Sequence, residues 1–400
     1  MEDPRQIDRY EIREVLGEGA MSKIFSAWDP KLHREVALKK IDSNVMLSQK
    51  ALERFQREVR AIAALKHPNI VEIYDYSDIN ADAYYLVMER LDGDDLFNIM
   101  HENGPMPEAV TAAVGHELCL ALKVAHQSGV IHRDIKPENV MLTKNGRVVL
   151  TDFGVVKAVR EDSAVTGWRE ATDVVGTVGF MAPELILKQE LVPATDIFAL
   201  GALLYNIATL HMPYDGSNAI AVFEAIQAGQ YTQPRDFVPN LSDEFCNLLA
   251  YCLEAKQDTR LTNIDEVLSE LKSILKQNAV NDLRDDLRDY VNDPAGYNTL
   301  QQQRTIDHLL RGIKLAIKDK NTSLAEKLQE RLLSIDPFNQ AIYQITGVHP
   351  RGQFSALDPT RPSEQAVIPK STPSEIGIVP VSVAILLGIL LAFTAYLVLL

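Results

Sequence analysis

The segment His132-Arg133-Asp134-Ile135-Lys136-Pro137-Glu138-Asn139, followed by Asp152-Phe153-Gly154, gathers residue types suited to chemistry on a phosphate. A carboxylate can take the proton of an attacking hydroxyl, and a second carboxylate with an amide oxygen can hold a divalent cation. Phosphoryl transfer asks a protein mainly for such positioning and charge neutralisation. The set therefore reads as phosphoryl transfer from a magnesium nucleotide, with Asp134 at the hydroxyl and Asn139 and Asp152 on the metal. Either triplet alone arises by chance; order and spacing together carry the reading.

Other elements must position these groups. Upstream, Leu16-Gly17-Glu18-Gly19-Ala20-Met21-Ser22-Lys23-Ile24 falls between two strand-like runs, where Gly17 and Gly19 would let backbone amides close over phosphate oxygens. Lys39 ends Val36-Ala37-Leu38-Lys39, and Glu58 lies on a helical stretch marked by Leu52, Phe55, Val59 and Ile62. Glu58 could orient Lys39 by an ion pair toward the phosphates. Alternating runs at Tyr10–Ile12, Lys23–Trp28 and Glu35–Ile41 predict three antiparallel strands; Ile70–Tyr76 and Tyr84–Glu89 complete a small sheet carrying one helix. After Asp95 the chain turns helical, apart from the catalytic stretch and the loop from Asp152 to Glu184.

In this order, the Gly-rich loop, Lys39, Glu58, His132-Arg133-Asp134, Asn139, Asp152-Phe153-Gly154 and Ala182-Pro183-Glu184 resemble the eukaryotic-type serine/threonine protein kinases over roughly residues 10–275, and bacterial membrane-anchored members in particular. The resemblance implies an α+β bilobal fold, with a β-rich N-lobe at about 10–89 and a helical C-lobe at about 92–275. It implies Lys39 on the phosphates of ATP, Glu58 as its partner, Asp134 as base, and Asn139 with Asp152 on Mg2+. The adenine pocket would comprise Leu16, Ile24, Ala37, Met141 and the connecting segment Met88-Glu89-Arg90-Leu91, with the backbone of Glu89 and Leu91 meeting the base. Lys136 and Thr177 point to Ser/Thr acceptors, with Lys136 neutralising the transferring phosphate. Asp196 resembles a buried brace of the catalytic loop, and Arg260 a structural partner of Glu184. Ser22 and Phe198 depart from the commoner Gly and Trp. By the same resemblance Arg133, Lys157 and Arg54 would receive a phosphate on Thr172 or Thr166 and so order the loop; Asp173 offers a fixed carboxylate as the rival device.

The formal net charge of -15 argues against nucleic acid as a partner. Cys119, Cys246 and Cys252 show no zinc-type spacing and read as reduced thiols in a cytosolic setting. Residues 277–345 keep helical periodicity without a catalytic signature; Ala325 to Tyr343 resembles the end of a tetratricopeptide helix pair, in one copy, and a helical extension, packed on the large lobe or used as a spacer, is expected. Pro, Gly, Ser and Thr dominate 346–375, predicting a flexible tether. Ile376 through Leu400 carries no charge and at about 1.5 Å per residue would reach about 37 Å, enough to span a bilayer. The kinase part would then face the cytoplasm, where ATP is, with protein Ser/Thr hydroxyls as substrates and two chains able to meet through the extension or span. A pseudokinase scaffold at the membrane is the alternative; it predicts no γ-phosphoryl transfer.

Overall fold

The computed structural model describes residues 4–19, 22–42, 49–78, 81, 83–154 and 178–346. In the small lobe, β1 (Gln6–Ile7), β2 (Tyr10–Gly19), β3 (Ser22–Asp29), β4 (Arg34–Ile41), α1 (Gln49–Ala63), β5 (Ile73–Tyr76) and β6 (Tyr84–Glu89) follow one another. The strands form one six-stranded sheet in the order β1-β2-β3-β4-β6-β5. Strand alternation sorts the residues by face. Phe25, Ala27, Val36, Leu38, Tyr85 and Val87 pack together on one side, while Ala37 and Met88, adjacent in register, face the other. On α1, Leu52, Phe55, Val59 and Ile62 are buried at helical spacing and join the main core. The short β1 was not anticipated, and β2 runs on to Gly19, well past Ile12.

The large lobe continues through β7 (Gly93–Asp95), α2 (Leu96–Asn103), α3 (Glu108–Gln127), β8 (Val140–Thr143), β9 (Val148–Leu150), α4 (Pro183–Ile186), α5 (Pro193–Thr209), α6 (Ala219–Ala228), α7 (Pro234–Phe237), α8 (Asp243–Cys252) and α9 (Ile264–Gln277). Helix α5 is apolar on every side and buried from Ala194 to Thr209, as a central helix must be. A second sheet, β7-β8-β9, was not anticipated by the reading of this lobe as helical for most of its length. Its strands have three, four and three residues, too short for a period to declare itself in sequence.

Four more helices follow: α10 (Leu283–Asn292), α11 (Pro294–Lys318), α12 (Thr322–Ile335) and α13 (Gln340–Thr346). Leu287, Tyr290 and Tyr297 extend the main core, whereas Ile306, Leu309, Ile313, Leu332 and Ile342 build a separate cluster. Among the described residues no helix is long and apolar enough to cross a membrane. The expected tether and the expected span at 376–400 lie outside the described residues.

One buried ion pair ties the large lobe together. Arg260 places its guanidinium 2.7 and 3.2 Å from the two oxygens of Glu184, with both side chains almost fully enclosed. It also donates to the carbonyls of Ala194, Glu254 and Ala255, and Thr195 Oγ1 donates to Glu184. Burial raises the Glu184 carboxyl, but the Arg260 hydrogen bonds and charge outweigh it and hold the group below its usual range. Removing one member strands the other charge, so Arg260→Ala should lower unfolding stability by about 3–5 kcal/mol. Urea titration checks this; a loss below about 1 kcal/mol would show that the pair is not what holds the helices.

Candidate active site

The loop between α3 and β8 is shaped from beneath by Asp196, fully buried on α5. Its carboxylate accepts the backbone N–H of His132 at 2.9 Å and of Arg133 at 3.0 Å, with His126 Nε2 at 2.8 Å. Arg133 sits in the left-handed region at φ 67°, which an arginine rarely adopts unless its surroundings enforce it. The loop then closes on itself: Asn139 Nδ2 donates to the Asp134 carbonyl at 2.7 Å and to its Oδ2 at 3.0 Å. Asp134 and Asn139 are thus brought together, and the amide is oriented, leaving Asn139 Oδ1 without a protein partner among the described residues.

The second half of the site is stitched to the first through main-chain contacts. Thr151 donates its N–H and its hydroxyl to the Asn139 carbonyl, and Gly154 N–H reaches the His132 carbonyl at 3.1 Å. Phe153, buried, packs against the His132 ring at 4.5 Å between centroids, the two planes tilted by 52°. Between them Asp152 adopts φ 53° and points its carboxylate at Lys39, whose Nζ lies 2.7 Å from Oδ1.

That ion pair corrects one expectation. Lys39 was expected to pair with Glu58, but Lys39 is taken by Asp152 and Glu58 on α1 pairs with its neighbour Arg57 at 3.4 Å. Two carboxylates compete for one ammonium, and the left-handed turn at Asp152 brings its oxygen to Lys39. Lys136 lies in the same loop, 4.0 Å from Glu138.

Where the adenine pocket was expected, Ala37, Val71, Met88 and Val149 form a small apolar cluster of their own, against which Leu91 and Met141 pack. Both lobes contribute to it. The Glu89 carboxylate is spoken for: Arg147 grips it at 2.7 and 2.8 Å and the Glu72 N–H donates to it at 2.9 Å. Leu16, exposed, and Ile24, half-buried, lie on the β2–β3 hairpin outside this cluster. Gly17 pairs with Ile24, Gly19 with Ser22, and an added Cβ at Gly17 would meet nothing within 4 Å.

The residues fit a nucleotide with its metal. Asn139 and Asp152 supply oxygen donors only, which suits Mg2+, a hard cation that usually takes one or two protein carboxylates and completes its shell with phosphate and water. Among the described residues no group of three His, Cys, Asp or Glu side chains could hold a metal by itself. Of the predicted phosphate receiver, Arg133 Nε is buried without a hydrogen-bond partner among the described residues. Arg54 lies on α1, while Lys157, Thr166, Thr172 and Thr177 lie outside the described residues. Sequence reading missed His126, Thr151, Thr195 and Arg147, each of which supports the site only through contacts between distant segments.

Burial holds the His132 imidazole below its usual range, although the Asp196 charge acts the other way. The neutral ring suits its contacts, Nδ1 accepting from the Asp134 N–H at 3.2 Å and Nε2 donating to the Thr151 carbonyl at 2.9 Å. Above about pH 6.5 neither the folded nor the unfolded chain protonates this group; below it the unfolded chain takes a proton that the folded chain refuses. The melting temperature should therefore fall as pH drops from 7 toward 5, with a shallower slope in His132→Asn. His67 and His308, also depressed by burial, would keep part of the slope. An identical slope in the variant would show that His132 does not contribute.

Comparison with known proteins places this geometry. The chain is 36% identical over 222 residues to the serine/threonine-protein kinase PknB of Mycobacterium leprae, covering 55% of this chain and 35% of that protein. It is 34% identical over 280 residues to a probable serine/threonine-protein kinase of Streptomyces coelicolor, covering 69% of this chain and 41% of that one. It thus spans only about two-fifths or less of the length of these curated relatives. In fold it is similar to the PknI kinase domain of Mycobacterium tuberculosis, with a TM-score of 0.55 at 24% identity over 68% of this chain and all of that one. The protein kinase domain model matches residues 10–273, well over half of the sequence, and by that match the chain belongs to the protein kinase family.

Proposed function

We propose that this protein is a membrane-tethered serine/threonine kinase that moves the γ-phosphoryl group of ATP to protein hydroxyls. The observation that carries the reading is a convergence of four side chains from distant segments. Lys39 meets Asp152 at 2.7 Å, Asn139 meets Asp134 at 3.0 Å, and Thr151 joins the two pairs through the Asn139 carbonyl. The acceptor oxygen attacks the γ-phosphorus, the bond to the ADP oxygen breaks, and the hydroxyl proton passes to Asp134. Asn139 and Asp152 would hold Mg2+, whose charge neutralises the phosphate oxygens. Lys39 orients the phosphates, with Glu58 its alternative partner, and Lys136 offsets charge on the transferring group. The adenine would occupy the apolar cluster of Ala37, Met88, Leu91 and Met141, with the backbone of Glu89 and Leu91 beside it and Leu16, Gly17, Gly19 and Ile24 above.

That the similar proteins of Mycobacterium leprae and Streptomyces coelicolor are named as serine/threonine-protein kinases supports Ser/Thr acceptors. For control, a phosphate on Thr172 or Thr166 would be received by Arg133, with Lys157 and Arg54. Support comes from the buried, unpartnered Nε of Arg133 among the described residues. Incubating the purified chain with Mg2+ and labelled ATP should give phosphorylated Ser and Thr. Asp134→Asn should lower turnover by about 10²- to 10⁴-fold, the usual contribution of a general base, and Lys39→Ala should also cut it without unfolding. Turnover unaffected by Asp134→Asn would favour the scaffold reading instead.

The tether rests on sequence: Ile376 to Leu400 is free of charge and follows a Pro-rich stretch. Expressed full length, the chain should stay with membranes through an alkaline wash. Leu387→Arg with Leu391→Arg, each costing about 2.5–3.5 kcal/mol at a helix centre, should release it. Retention of the double variant would count against a span there.

A further inference from the structure

The turn joining β8 to β9 lies at the far end of a hairpin whose other end is the candidate active site. Asn139 directly precedes β8, Met141 lies on it, and Asp152 follows β9. With about 3.3 Å per residue the four residues of β8 place the turn about 13 Å from the site. Three sets of contacts meet at that turn. Toward the segment linking the lobes, Lys144 N–H donates to the Asp92 carbonyl at 2.9 Å, Lys144 Nζ pairs with Asp92 at 2.8 Å, and Arg147 grips Glu89. Within the turn, Gly146 N–H closes on the Thr143 carbonyl at 2.8 Å. On the outer side comes α10, from beyond the matched kinase region: Asn292 Nδ2 donates to the Lys144 carbonyl at 3.0 Å and Arg284 Nε to the Asn145 carbonyl at 3.2 Å.

The approach of α10 leaves no room for a side chain on the turn. Gly146 has φ +78°, and a Cβ built there would lie 2.2 Å from the Arg284 carbonyl oxygen and 2.7 Å from the Arg288 nitrogen. Only glycine fits both the conformation and the gap. Helix α10 is itself a firm support, since Leu287 and Tyr290 are 1% exposed within the main core.

Resting on the kinase reading above, we propose that Gly146, Arg284 and Asn292 form a positioning contact through which the helical extension sets the grip on ATP. The extension reaches the nucleotide by one rigid step: it fixes the hairpin turn, and the turn holds both Glu89 and Asp92 on the linking segment and, along its strands, Met141, Asn139 and Asp152. None of the three residues touches the reacting groups. They act through the hairpin.

The far end of the extension supplies the control. Lys327 on α12 pairs with Glu244 on α8 at 2.6 Å, a docking contact made far from the hairpin in the chain. In the full-length protein, Arg284→Ala with Asn292→Ala should raise KM for ATP about three- to tenfold, as expected for losing about one net hydrogen bond. The value of kcat should stay within about twofold, and backbone hydrogen exchange should quicken over residues 139–152. Lys327→Ala should leave KM for ATP unchanged. The same variants are compared by direct binding of a fluorescent ATP analogue, so that the contact is tested even if the unaltered chain proves inactive, a result that would sink the kinase reading alone. Parental affinity for ATP in the double variant overturns the positioning contact. An equal loss in Lys327→Ala also overturns it, because the effect would then be general loosening.

Discussion

A single buried carboxylate sets the geometry on which the candidate site depends. Asp196 has no solvent to stabilise its charge, so it must be surrounded by donors, and the two available backbone donors are the N–H groups of His132 and Arg133. Satisfying both forces Arg133 into a left-handed conformation whose strain is on the order of 1–3 kcal/mol. The two backbone hydrogen bonds to this enclosed group hold it there. From that fixed point the geometry spreads: His132 orients Asp134 and Phe153, Asn139 locks onto Asp134, and Thr151 carries the register across to Asp152.

Against this rigid base, the lysine side of the site is adjustable. Lys39 is held on a central strand, paired in register with Ile24 and Leu86, so its backbone has little freedom. Its ammonium is bonded to Asp152, while Glu58, on a helix rather than a strand, pairs with exposed Arg57. A surface pair such as Arg57 with Glu58 contributes about 0–1 kcal/mol and is readily exchanged.

Beyond the matched region, the chain divides its apolar residues between two tasks. Leu287, Tyr290 and Tyr297 complete the core of the large lobe, and Ile306, Leu309, Ile313, Leu332 and Ile342 make a small core of their own. Polar contacts bind this second part back to the lobe. Arg331 reaches buried Glu108 at 3.1 Å, and Gln301 donates to the Asn278 carbonyl. A buried glutamate needs such partners, so the large lobe relies on residues that lie well past its last catalytic signature.

How much of this was legible in the sequence follows from range. Motif order and residue type singled out Asp134, Asn139, Asp152 and Lys39 as candidates, because phosphoryl transfer admits few alternatives for such groups, and the fold joins Asn139 to Asp134 and Lys39 to Asp152. Period-based reading located α1 and β6 because each is long enough for burial to impose a pattern. It missed β7, β8 and β9, whose few residues take extended form from their neighbours rather than from their own propensity. The sequence by itself determined which groups could act and in which lobe they reside. Tertiary structure alone decided which acid holds Lys39, that His126 and Thr151 support the site, and that α10 presses against Gly146. Those outcomes depend on distances between segments remote along the chain, and such distances are set by how the whole core packs, which no local pattern encodes.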